Sequence, residues 1–389
     1  MTLPPHLARI LEAEYPHFSE AEMTDRRAAV EALLAQAECD HLVFCGANRF
    51  GSVVQWLTQW PVTAEAVGVL TPRERDALFV QYVNHAPQAR IIAHKADVAW
   101  GGESSIVAAI KVLERRGARQ NRVATIGPLS AEQHAALSAK FGTPKSLNRS
   151  YVRLRQVKSA EELDWLRVGA HFSDLGMAAL RDELKPGLHE RELGDLVERA
   201  YVSQGATNVI HYIGVTAMKA PDLAVPRQFP RMRRVRADDV VVAEISAAFW
   251  EHPGQVLRSF ALGEPNKLYR ELHATADAAF DAIAGVLKAG VTPAKVIKAS
   301  AVIEEAGFTI IDDLLHGYGG GYLPPILGCK SRPAGPVPED PFRAGQTVVI
   351  QPNVVTGDGK AGVQTGEMVV ITDTGIERLH SIQRGFPTI

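Results

Sequence analysis

Leu184-Lys185-Pro186-Gly187, a helical stretch and then Gly205-Ala206-Thr207 are followed, about a hundred residues on, by Leu287-Lys288-Ala289-Gly290, a second helical stretch and Gly307-Phe308-Thr309. That offset is too long for a solenoid, and two copies are too few for one, so the pattern reads as two pseudo-equivalent halves sharing a central cleft. Four strand-like segments lie within or after these halves and end in polar residues: Ala243-Glu244-Ile245-Ser246, Gly254-Gln255-Val256-Leu257-Arg258, Ile350-Gln351-Pro352-Asn353 and Gly362-Val363-Gln364-Thr365-Gly366-Glu367. Antiparallel strands with helices on one face make an α+β architecture, with the cleft as the place for a ligand. Apolar strands that deliver Glu, Gln, Arg and Asn to one place need something bound there, because an unpaired buried polar group loses about 1–3 kcal/mol.

Upstream, the pattern alternates. Residues 18–38 read as a charged helix, 41–45, 67–70, 79–83 and 91–93 as short strands, and 104–116 and 131–141 as helices, which together make a smaller α/β domain. A strand-like segment at 151–158 runs into Ser159, and Glu162 three residues later completes a capping box that starts a long helix. The boundary is therefore placed there, with domains 1–157 and 158–389.

At 389 residues, two domains are the default. With 46% hydrophobic and 22% charged residues and a net charge of -2, the balance favours neither nucleic acid nor membrane surface as a partner. The basic run at 227–236 is short, interrupted and read as a solvated loop. Cys39, Cys45 and Cys329 form no Cys-x-x-Cys pair, which points away from a disulfide framework or zinc knuckle and towards a cytoplasmic protein. No signal-peptide pattern or spanning apolar run is evident.

The helix start Val157-Lys158-Ser159-Ala160-Glu161-Glu162-Leu163, the Leu184-Lys185-Pro186-Gly187 turn, Asp238-Asp239-Val240-Val241, Gly317-Tyr318-Gly319-Gly320-Gly321, Ala344-Gly345-Gln346-Thr347-Val348 and the closing Val369-Val370-Ile371-Thr372-Asp373-Thr374-Gly375 resemble, in order and spacing, the creatinase/aminopeptidase P/methionine aminopeptidase family. The resemblance implies a pita-bread C-terminal domain with a pseudo-twofold repeat, preceded by a smaller creatinase-like α/β domain, and a homodimer. Peptidases of that family hold two divalent metals with two aspartates, a histidine and two glutamates. Carried over position by position, these fall on Glu244, Gln255, Gly320, Gln351 and Gly366, with Glu367 beside the last. The resemblance therefore implies a member without the metal ligands, so that no metal or other cofactor is expected. The catalytic histidine of creatinase falls near Arg227, and its glutamates on Gln255 and near Gly366 or Glu367, so creatine hydrolysis is not implied.

The residues allow the following roles. Glu244, after a buried run, suits a general base or cation anchor, or else a structural pair with Arg258. His316 and His211 titrate near neutrality and suit proton transfer, with His316 preferred, although a lone histidine is more often structural. Glu367 becomes the second carboxylate only if a glycine bulge re-aims it, since strand alternation points it opposite to Gly366. Gln255, Arg258, Gln351, Asn353 and Gln364 suit substrate orientation, with edge capping the alternative for Gln351 and Asn353. Trp250 suits an apolar or cation–π wall, or plain packing. Arg49 suits a reach from a neighbouring subunit. The function this favours is metal-independent C–N hydrolysis of a small nitrogen-containing metabolite, by Glu244 with His316 or Glu367. A non-catalytic ligand- or peptide-binding protein and a lyase acting by proton abstraction are the alternatives, with an Xaa-Pro metallopeptidase if metal is found.

Overall fold

The structure, a computed structural model, describes residues 2–47 and 52–389. The chain divides into two compact units, residues 13–155 and residues 156–389 together with the first twelve. Arg49 lies outside the described residues.

The smaller unit carries a six-stranded sheet in the order Ala96–Trp100, Asp76–Val80, Glu65–Leu70, His41–Ala47, Val123–Ile126, Lys145–Ser146. The His41–Ala47 strand runs antiparallel to Glu65–Leu70 and parallel to Val123–Ile126, so the sheet is mixed. Two expectations fail here for local reasons. Residues 91–93, read as a strand, close the helix Ala86–Ile92, which starts with proline in its first turn, and the strand follows at Ala96–Trp100. Most of 151–158 belongs to the helix Asn148–Gln156, whose buried Tyr151 and Arg155 are four residues apart and so share one helical face.

The larger unit shows the repeat directly. Helices Ala160–Glu183 and Lys267–Val286 both stop at a leucine in extended conformation, Leu184 and Leu287. Gly187 (φ 99°) and Gly290 (φ 83°) then take the left-handed turn that residues with a Cβ resist. A short helix follows each, Glu190–Arg199 and Pro293–Ala299, and Gly205 and Gly307 repeat the left-handed step before the strands Thr207–Ala217 and Thr309–Ile310. Ser159 starts the first long helix through the anticipated capping box with Glu162.

The main sheet is antiparallel, in the order Tyr322–Leu327, Leu315–Tyr318, Thr347–Ile350, Gly366–Ile371, His252–Ala261, Asp239–Phe249, Thr207–Ala217, with Ile376–Arg378 added beside Gly366–Ile371. Its centre is locked to the first long helix at very short range. A Cβ on Gly254 would meet Ala170 Cα at 2.2 Å, and one on Gly169 would meet the His252 carbonyl oxygen at 2.1 Å. Ser173 of the same helix uses the closeness: its hydroxyl donates to Gly254 O (2.6 Å) and accepts from Ala247 N (2.8 Å), joining both central strands. No helix among the described residues is long and apolar enough to cross a membrane.

Candidate active site

Strands Asp239–Phe249 and His252–Ala261 are joined by Trp250 and Glu251 alone, both with positive φ (45° and 67°), the mirror-image turn that matches strand twist. The register this sets pairs Ser246 with Gln255 and Glu244 with Leu257, so Glu244, Ser246 and Gln255 share one face. Gln255 Nε2 donates to Glu244 Oε1 at 2.6 Å, and both side chains are buried. Burial, then the negative charges of Asp312 and Asp313, push the Glu244 carboxyl up to about 8, against stabilisation by the Gln255 and Gln364 carboxamides.

Around this pair the second half of the sheet supplies further groups. His316 is buried, and its Nδ1 lies 3.0 Å from Gly317 O. A carbonyl can only accept, so Nδ1 carries the proton and Nε2 keeps the lone pair. Burial lowers the His316 pKa to about 4, against the Gly317 carbonyl and Gln351, so the ring is neutral at neutral pH. It stacks on Tyr322 with centroids 4.2 Å apart and meets Tyr318 edge-on at 5.5 Å. Gln351 Nε2 donates to Asp313 Oδ1 (3.1 Å), and Tyr322 Oη to Asp313 Oδ2 (2.5 Å). Tyr318 Oη and Ser246 Oγ are neighbours in the same cluster.

A distinctive feature is what these groups leave unmade. Gln255 Oε1, Gln351 Oε1, both amide atoms of Gln364, Ser246 Oγ and Tyr318 Oη are buried and meet no group in good hydrogen-bond geometry, although Gln364 lies close to Glu244, Gln351 to His316 and Ser246 to Tyr318. A group of this kind left unpaired would lose about 1–3 kcal/mol, which marks the cluster as the candidate site.

Other anticipated residues are elsewhere. Glu367 sits beside Val256 in the ladder, and Arg258, two residues on, lies on the same side; no bulge re-aims the glutamate. Its carboxylate is paired with Arg258 Nη2 at 2.7 Å and with Arg378. Burial works to raise the Glu367 pKa, but the Arg378 hydrogen bonds and the Arg258 charge outweigh it and hold it low, so Glu367 is a fixed anion and not the acid/base partner of Glu244. Arg258 is used up by Glu367 and the carbonyls of Gly366, Leu257, Ile382 and Gln383, and does not pair with Glu244. Asn353 spends its carboxamide on backbone: Oδ1 accepts from Ile311 N and Asp312 N, and Nδ2 donates to Asp313 O and Gln351 O. His211 turns to Tyr201 Oη (2.6 Å) and Glu198 (3.2 Å), and Trp250 is a turn residue whose carbonyl takes the His252 Nδ1 hydrogen. Sequence reasoning missed Ser246, Tyr318, Tyr322, Asp313 and Tyr212, the last paired with Glu244 in the ladder. The Asp312-Asp313 doublet just before a buried strand was the available signal.

Residues 164–373 match the profile of metallopeptidase family M24. An Xaa-Pro dipeptidase of Pyrococcus furiosus is 24% identical over 235 residues, 59% of this chain and 65% of that protein. An uncharacterized peptidase of Staphylococcus aureus is 24% identical over 236 residues, covering 58% and 63%. The chain thus spans just under two thirds of the length of these relatives. Among solved structures, the X-Pro aminopeptidase of Thermotoga maritima superposes with a TM-score of 0.79 at 18% identity over 93% of this chain and 99% of that one. Dipeptidase PepE of Mycobacterium ulcerans gives 0.77 at 21% identity over 96% and 99%. The likeness establishes the pita-bread fold. It also overturns the expectation of a creatinase-like hydrolase of a non-peptide metabolite, since these relatives are peptidases by name.

The family name implies metal, and the donor set can be tested against it. Gly320, the position assigned by resemblance to the ligating histidine, lies between the strands Leu315–Tyr318 and Tyr322–Leu327, and His316 instead joins the cluster. Glu244, His316 and the Asp312-Asp313 pair are then the strong donors among carboxamides, with Asp313 already engaged by Gln351 and Tyr322, and a side chain at Gly366 would meet Ile350 O at 2.4 Å. Among the described residues, no group of three or more His, Cys, Asp or Glu is placed to hold a metal ion. A pair of dications needs several carboxylates to balance its charge, and this set does not fit one.

Proposed function

Because the chain belongs to metallopeptidase family M24, we propose that it hydrolyses short peptides at the Glu244 cluster. The observation that carries this is Glu244 itself, a buried carboxyl held by Gln255 and poised near 8, within one to two units of neutral pH, where a group can both take and return a proton. In this reading a water gives its proton to the ionised Glu244 as its oxygen bonds to the peptide carbonyl carbon. The same proton passes to the departing nitrogen as the C–N bond breaks, leaving an acid and an amine. Neutral His316, with its Nε2 lone pair, and the carboxamides of Gln255, Gln351 and Gln364 hold the substrate's N–H groups. The dipeptidase names among the relatives support a dipeptide as the size of substrate.

The test is amine release from a dipeptide panel, Xaa-Pro members included, by purified protein in metal-depleted buffer and with added Mn²⁺. Cleavage of at least one member is expected, falling about 10²- to 10⁴-fold in Glu244→Gln. A folded protein that leaves every dipeptide intact under both conditions rules the reading out.

A further inference from the structure

We propose that the Glu244 cluster is a receptor for a single positive charge, the free ammonium group of a short peptide, in place of two divalent metal ions. The contacts of its amides argue for this, Gln351 through two acceptors of Asp313 and Gln255 through the ionised form of Glu244. Gln255 Nε2 meets the Glu244 carboxyl and Gln351 Nε2 meets the Asp313 carboxylate and carbonyl, so each nitrogen is fixed and each Oε1 is turned out as an acceptor. Both oxygens are buried acceptors with no group in good hydrogen-bond geometry, and the hydroxyls of Ser246 and Tyr318 and the carboxamide of Gln364 beside them can accept as well as donate. The two fixed acceptors call for a donor. An ammonium has three N–H donors and no lone pair, and its arrival favours the ionised form of Glu244, which then supplies a matching negative charge beside those of Asp312 and Asp313.

Glu367, the carboxylate nearest in sequence to the position implied for the last metal ligand, is already neutralised by Arg258 and Arg378 and adds nothing to this charge balance. Inorganic monovalent cations share the same charge but lack directed N–H bonds. The inference relies on the peptide reading only for the molecule that carries the ammonium.

The experiment is thermal unfolding and calorimetric titration of the full chain with alaninamide, N-acetylalaninamide, KCl, NaCl and MnCl₂. Alaninamide should raise the unfolding midpoint, and N-acetylalaninamide, without the charge, should not. Glu244→Gln should weaken alaninamide binding by about tenfold or more. Gln351→Leu, which removes one acceptor and keeps the charge, gives a second measurement should the first variant not fold, and a several-fold loss is expected. Equal stabilisation by the acetylated compound, displacement of alaninamide by K⁺ or Na⁺ at equal or lower concentration, or tighter binding of Mn²⁺ than of alaninamide would each overturn the proposal. Alaninamide binding without cleavage of any dipeptide would remove the hydrolase reading and leave this one. Cleavage with no preference for a free ammonium would do the reverse.

Discussion

Glu367 Oε2 lies 2.7 Å from Arg258 Nη2 with both side chains shut off from water, while Gly366, one residue earlier, occupies the ladder position beside Leu257. The polypeptide has thus kept a carboxylate next to the position implied for the family's last metal ligand but on the opposite side of the strand. There it serves as the counter-ion of a buried guanidinium.

Removing that anion leaves Arg258 charged and unpaired in the interior. Glu367→Gln should destabilise the protein by about 3–5 kcal/mol, read from the midpoint of denaturant unfolding, while alaninamide affinity in the surviving folded protein stays within about twofold. A loss below about 1 kcal/mol would show that Arg378 and the carbonyls around Arg258 suffice without it.

Stability should fall between pH 6.5 and 8 because of Glu244. Its folded pKa, about 8, is above the ordinary 4.5, so across that interval the folded state holds more protons than the unfolded, and raising the pH favours unfolding. The slope amounts to about 1 kcal/mol per pH unit. Below 6.5 the depressed His316 titration opposes it, since unfolding then takes up a proton there. Glu244→Gln should match the parent protein near pH 4 and exceed it by a margin that widens towards pH 8. Parallel stability curves for the two proteins would refute the assignment.

Gly254→Ala places a methyl group 2.2 Å from Ala170 Cα, on backbone that cannot step aside without moving the helix. A cost of about 1–3 kcal/mol or more is expected in thermal unfolding, and Gly169→Ala, aimed at the His252 carbonyl oxygen, should behave alike. Gly187→Ala meets no atom within 4 Å but has φ 99°, so its penalty would come from backbone conformation alone.

Asn353 binds the 311–313 turn through three backbone contacts and the Gln351 carbonyl through a fourth. Asn353→Ala should cost about 1–3 kcal/mol and loosen Asp313, weakening alaninamide binding through Gln351. Faster hydrogen exchange at Ile311 and Asp312 is the local readout, and unchanged protection there would count against the role given to Asn353.

The repeat was legible because it is written in glycines: a left-handed step after each long helix admits little else, and Gly187 and Gly290 mark it. The side of the strand taken by Glu367 was also legible, from alternation alone. The proton-bearing half of the cluster was not. A register shift between His316 and Gly317 re-aims the strand residues there, and alternation cannot be read across it. Nor could sequence decide whether Arg258 would pair with Glu244 or Glu367, since both are strand residues within reach and three-dimensional register settles the choice. The helix Asn148–Gln156 was misread because Tyr151 and Arg155 look like an alternating strand pair until their four-residue spacing is given weight.

The two-residue turn at Trp250 and Glu251 has a kinetic consequence. Glu244 and Gln255 are separated by only 11 positions, so their meeting requires just a hairpin, an event of about 1–10 μs. Gln351 and Gln364 arrive only after long segments have closed, which is slower in proportion to the chain entropy surrendered. Half of the receptor is therefore nucleated locally, and the remainder is recruited onto it as the second repeat docks.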